Sequence, residues 1–111
     1  MDDFQVTVKN DTEKTVVIFL KGSVTPDTTG KLRDTFNSVL EGHPSQVDLD
    51  LSGVDYVASA GVGAFVSFLR RIKENQGELR ICGLKSEIWD LFRITHLDKV
   101  FTIVEKNDMP Q

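Results

Sequence analysis

Apolar and polar positions along the chain change period several times, and each change marks an element. Phe4-Gln5-Val6-Thr7-Val8 alternates with the two-residue period of a strand. After Asn10-Asp11, the apolar run Val16 to Leu20 ends near Gly22, which predicts an opening antiparallel hairpin. Thr25-Pro26-Asp27 reads as a helix start: Thr caps free amides, Pro fits the first helical position and Asp complements the positive end. Leu32, Phe36, Val39 and Leu40 then recur at helical spacing until Glu41-Gly42-His43-Pro44 breaks the pattern.

Val47, Leu49 and Leu51 alternate with Asp48 and Asp50, which predicts a strand with one apolar and one carboxylate-bearing face. Ser52-Gly53 reads as a turn, and Val54 to Val57 regains apolar character. From Ser59 a helical stripe runs through Val62, Phe65, Val66, Leu69 and Ile72, with Gly77 as its stop. Of these, Leu49, Leu51, Val62, Phe65, Val66 and Leu69 are the expected core. Leu79 to Cys82 predicts a strand, and Ser86-Glu87 opens a short helix carrying Ile88, Leu91 and Phe92, with Trp89 on or beside that face. Val100 to Val104 predicts the last strand.

The order strand, strand, helix, strand, helix, strand, helix, strand implies right-handed crossovers after the hairpin. The expected fold is α/β: one mixed sheet of about five strands, antiparallel at its start and parallel afterwards, with helices mainly on one face. A chain of 111 residues is one domain spanning 1–111, with 107–111 expected to fray.

Composition narrows the function classes. The hydrophobic share is 40%, the charged share 27%, and no apolar run approaches the roughly 20 residues of a membrane span. Met1-Asp2-Asp3-Phe4 lacks the basic start of a secretory signal, and Cys82 is the only cysteine, so a cytoplasmic location without disulfides is expected. Cys82 sits in a strand-like run and reads as a buried small hydrophobe. His43 and His96 have no second ligand at metal-binding spacing, so neither a metal nor another cofactor is expected. A net charge of -4 disfavours nucleic-acid binding, and Arg70-Arg71-Lys73, the one basic cluster, reads first as a solvated helix face.

The chemistry concentrates between Asp48 and Phe65. Ser59 falls where a strand hands over to a helix, flanked by Ala58, Ala60, Gly61 and Gly63, whose small side chains leave its hydroxyl open to an approaching protein. A phosphate there would add roughly -1.5 to -2 charges at a helix start, whose amides attract anions. Taken on local chemistry alone, Ser59 is more simply a helix N-cap contributing about 1 kcal/mol.

The wider sequence shifts that balance. Asp50-Leu51-Ser52 followed by Ala58-Ser59-Ala60-Gly61-Val62-Gly63 resembles the anti-sigma factor antagonist (STAS) signature, in which Asp-Leu-Ser precedes Asp-Ser-Ser/Thr-Gly-Leu-Gly. Leu79 to Leu84 is similar as well, and Ile94-Thr95-His96-Leu97-Asp98-Lys99-Val100-Phe101 resembles the late Leu-Thr-Gly-Leu-Asp-Lys-Leu-Phe segment. The resemblance implies a non-catalytic STAS domain in a partner-switching pathway of bacterial transcription regulation. By it, Ser59 is the phosphorylated residue, and the unphosphorylated form binds an anti-sigma factor serine kinase and frees a sigma factor. A PP2C-type phosphatase resets the switch. The partner surface implied comprises Ser23, Val24, Thr25, Ala58, Ala60, Gly61 and Val62, with Ser86-Glu87 as a further surface candidate. A monomer or weak dimer is expected. Ala58 and Thr25 stand where the family usually has acids, and Ala60 where it has a second hydroxyl.

Three other readings compete. Val57-Ala58-Ser59-Ala60-Gly61 half matches a Gly-x-Ser-x-Gly nucleophile elbow, but Val57 replaces the first glycine and His96 precedes Asp98. Gly61-Val62-Gly63 begins a dinucleotide fingerprint that Val66 ends. The strongest rival shares the fold: an accessory subunit of a lipid transporter ATPase, or a signalling scaffold component, with no sigma factor involved.

Overall fold

The computed structural model describes residues 4–105, so the tail expected at 107–111 lies outside the described residues. The elements run β1 (Gln5–Asn10), β2 (Thr15–Val24), α1 (Thr29–Glu41), β3 (Gln46–Val57), α2 (Ser59–Glu74), β4 (Glu78–Cys82), α3 (Ser86–Ile94), a 3-10 turn (Leu97–Lys99) and β5 (Thr102–Ile103). One five-stranded sheet has the order β1-β2-β3-β4-β5. β1 and β2 are antiparallel and every later pair is parallel, as the hairpin and crossover pattern predicts.

Register explains the burial. Ile18, Leu49 and Ile81 align across the three central strands, as do Val16, Val47 and Leu79, and all six are buried on the face that the helices cover. α1 adds Leu32 and Phe36, α2 adds Phe65, Phe68 and Ile72, and α3 adds Ile88 and Phe92 to the same core. Full burial of each such side chain contributes roughly 1.5–3 kcal/mol. Phe36 and Phe68 lie parallel with ring centroids 3.9 Å apart, which ties α1 to α2.

Several local expectations are corrected. The α2 stripe is rotated: Phe68 is buried whereas Val62 and Val66 are only half-buried. Ser52-Gly53 is not a turn, because β3 runs unbroken to Val57 and absorbs the extra residues as register irregularities opposite Phe19 to Ser23. The β2 ladder resumes at Gly53 and continues to Val57, so the Ser-Gly dipeptide bends the strand without ending it. α1 begins at Thr29, since Thr25 to Thr28 first close a turn in which Thr25 accepts the Thr28 and Thr29 amides at 3.0 Å. α2 ends at Glu74; Gln76, not Gly77, takes the left-handed conformation, at φ 64°. Gly77 serves close approach instead, as a Cβ there would lie 2.9 Å from the Pro44 carbonyl. β5 is confined to Thr102–Ile103, because Val100 is still tied up as the C-cap of the 3-10 turn, its amide donating to the Leu97 carbonyl. His96, where the resembled segment has glycine, is left-handed at φ 63°.

The carboxylate-bearing side of β3 is not a solvated acidic face. Asp48 is fully buried, and Arg80 donates Nε to its Oδ1 at 2.8 Å and Nη2 to its Oδ2 at 3.1 Å, with Gln46 donating from beside it. Asp50 is also buried and accepts from the Ser52 amide at 2.9 Å and its hydroxyl at 2.7 Å. Paired and hydrogen-bonded, both charges are absorbed locally. Cys82 is buried, as expected for a small hydrophobe. Trp89 lies beside the core at 37% exposed, with the Arg93 guanidinium 5.8 Å from its ring centroid.

Candidate functional site at the strand-to-helix junction

β3 carries the chain out of the sheet at Val57, and the backbone turns at Ala58 into α2. The Ala58 amide donates to the Val24 carbonyl at 2.8 Å, so the end of β2 is bonded directly to the junction. Gly61 is buried beneath this contact: a Cβ there would come within 2.5 Å of Val24 Cγ1 and 3.0 Å of Val57 Cγ1. A methyl group overlaps at that spacing, so only glycine lets the first turn of α2 seat against β2. Gly61 therefore serves helix packing, which removes it from any dinucleotide loop.

Ser59 occupies the first helical position and is exposed. Its role as N-cap is corrected: the cap is Ala58, in extended conformation at ψ 167°, and among the described residues no side chain caps the helix. The Ser59 hydroxyl has no partner among the described residues. The Gly61 and Val62 amides both donate to the Ala58 carbonyl, at 2.8 and 3.1 Å, leaving the Ser59 and Ala60 amides directed out of the helix end. An unpaired hydroxyl, two outward amides and no acid in the first turn form a locally positive, sterically open end.

The other expected partner residues divide by burial. Ala60 is exposed, Ala58, Val62, Ser23 and Thr25 are half-buried, and Val24 is fully buried. Val24 and Gly61 thus lie beneath the exposed residues of the junction. Ser86 and Glu87 are exposed at the start of α3. Tyr56, which pairs with Ser23 across β2 and β3, is 55% exposed beside the junction. Its period within the strand hid it, since an aromatic in an apolar run reads as core until the register irregularity turns it outward.

The junction stands apart from the strand acids: Asp50 precedes the end of β3 by seven residues, roughly 20 Å of extended chain. The exposed acid nearest in sequence is Asp55, paired with Lys85. His96 and Asp98 lie at the other end of the sheet, before β5, which runs parallel to β4. Ser59, His96 and Asp98 are therefore not assembled into a triad. Among the described residues no group of His, Cys, Asp or Glu is arranged to hold a metal, and no helix is long and apolar enough to cross a membrane.

A one-sided mixed sheet whose third strand feeds an open helix start defines an α/β module. Residues 8–105 match the family described as Mlab, STAS domain, and the chain belongs to the STAS domain family. It is 26% identical over 101 residues to the anti-sigma-B factor antagonist of Listeria monocytogenes, covering 91% of this chain and 89% of that protein. The anti-sigma-B factor antagonist of Staphylococcus aureus is 28% identical over 82 residues, covering 74% and 76%. Among solved structures, an anti-sigma factor antagonist from Mycobacterium paratuberculosis superimposes with a TM-score of 0.82 at 20% identity, over 92% of this chain and 86% of that one. The Bacillus cell fate determinant SpoIIAA in its phosphorylated form gives 0.73 at 16% identity, over 94% and 95%. At these identities the structural likeness establishes the fold.

Proposed function

We propose that this protein is an anti-sigma factor antagonist, a phosphorylation-switched binding module with no catalytic role of its own. In its unphosphorylated form it binds an anti-sigma factor serine kinase and so releases a sigma factor. A PP2C-type phosphatase removes the phosphate from Ser59. The observation that carries the reading is the exposed Ser59 hydroxyl, without a partner among the described residues, at the first position of α2. An enzyme reaches such a hydroxyl without unfolding anything, and a phosphate placed there meets the outward amides of the helix end. The relatives named as anti-sigma-B factor antagonists support the same reading. The docking surface is formed by Ser23, Thr25, Ala58, Ser59, Ala60 and Val62, to which the exposed Tyr56 adds an aromatic anchor.

Intact mass after incubation with ATP and the cognate serine kinase tests this. The expected result is a gain of one phosphate, abolished by Ser59→Ala. No gain, or a phosphate that survives Ser59→Ala, overturns it. Ser59→Asp is expected to weaken kinase binding while the fold persists.

A second reading, an accessory subunit of a lipid transporter ATPase or a scaffold component, has Ala58 and Ala60 in its favour, because these remove the acid and second hydroxyl of the resembled motif. Affinity capture separates the two: an ATP-binding serine kinase supports the first, a transporter ATPase the second.

A further inference from the structure

We propose that the cleft between α1 and α2 is a docking site for an acidic segment of the protein partner, with Arg33 and Arg71 reading its carboxylates. This rests on α2 being part of the partner surface and adds the chemistry of what docks there. The cleft has a volume of about 200 Å³; the buried Phe36 and Phe68 rings form its floor, and Arg33, Asn37, Ser67 and Arg71 form its rim. Arg33 is exposed and makes no hydrogen bond or ion pair among the described residues. Arg71 donates Nη1 to the Asn37 side-chain oxygen at 2.6 Å, which holds one guanidinium in place. Two guanidiniums, an amide and a hydroxyl above an apolar floor match a carboxylate side chain with an apolar neighbour. Beyond Arg71 the groove continues past Glu41 and His43, so its positive half is the Arg33 end.

That end abuts the junction. A Cβ at Gly63 would lie 3.8 Å from Arg33 Nη2, and Gly63 is one helical turn from Ser59. Residues four apart on a helix face are roughly 6 Å apart at Cβ, so a partner covering Ser59 also covers the Arg33 end. The basic rim on a chain of net charge -4 therefore selects an acidic partner surface. A phosphate on Ser59 then meets the partner's own carboxylates, and their repulsion supplies the switch.

The test uses the full-length chain, 15N-labelled, at low salt. It is titrated by NMR with an amphipathic helical peptide carrying glutamates beside leucines, and with its Gln-for-Glu counterpart. The glutamate peptide is expected to shift Arg33, Asn37, Ser67 and Arg71, including the arginine side-chain signals, with at least threefold weaker binding in each of Arg33→Gln and Arg71→Gln. Gly63→Glu, which places the chain's own carboxylate beside Arg33 on an exposed helix position that favours Glu over Gly, is expected to weaken the glutamate peptide at least tenfold without lowering the melting temperature. Gly63→Gln is expected to retain most of the binding. Equal binding of both peptides, shifts scattered over the surface, or indifference to Arg33→Gln overturns the proposal. Peptide in the cleft without phosphate gain at Ser59 retires the phosphorylation switch and keeps the cleft; phosphate gain with no cleft binding does the reverse.

Discussion

The starts of α1 and α2 are neighbours, joined through the Val24 carbonyl and the Ala58 amide, yet they use hydroxyl residues in opposite ways. At α1, Thr28 is buried; its Oγ1 accepts the Thr25 amide at 2.8 Å and donates to the Ser23 carbonyl at 3.0 Å. Thr29 donates its hydroxyl to the Pro26 carbonyl at 3.0 Å. At α2 the cap is an alanine, the adjacent Ser59 hydroxyl has no partner among the described residues, and the first turn stands open. A satisfied hydroxyl is part of the fold and is expensive to modify. An idle one contributes little to stability and remains accessible to other proteins.

Four substitutions probe that contrast, and thermal or chemical unfolding reads each. The largest effect is expected from Gly61→Val, which forces two branch carbons into Val24 and Val57 and lowers stability by about 3 kcal/mol. Unchanged stability would mean that α2 is not seated against the end of β2 as described. Thr28→Val keeps the shape but strands the Thr25 amide, for an expected loss of about 1–3 kcal/mol. Ala58→Asp supplies the missing cap and is expected to raise stability by about 1 kcal/mol; no gain would show the end to be satisfied already. Ser59→Ala should stay within about 0.5 kcal/mol of wild type. A loss comparable to that of Thr28→Val would make Ser59 structural and erase the difference between the two ends.

The identity of Ala58 as N-cap also gives physical meaning to its departure from the resembled motif. An acid there would occupy the helix end; alanine leaves the end amides to water or to an anion. The exposed surface around Ser59 consequently owes its openness to small side chains rather than to charge.

Much of this was legible in the residues. The two-residue alternation at Val47 to Leu51 and the helical stripes of α1 and α2 fixed element types, and those types imposed a mixed sheet with its helices on one face. The position of Ser59 at a strand-to-helix handover also followed from local pattern alone. Tertiary structure decided what pattern cannot carry. Pairing with β2 kept β3 running through Ser52-Gly53, and cross-strand Arg80 made Asp48 of the carboxylate-bearing face part of a buried ion pair. Close approach of β2 buried Gly61 and Val24, and the crossing of α1 over α2 brought Arg33 beside Gly63. Local periods report how a segment divides its own faces, whereas burial and charge pairing depend on which distant segment arrives against each face, and that is set only when the chain folds.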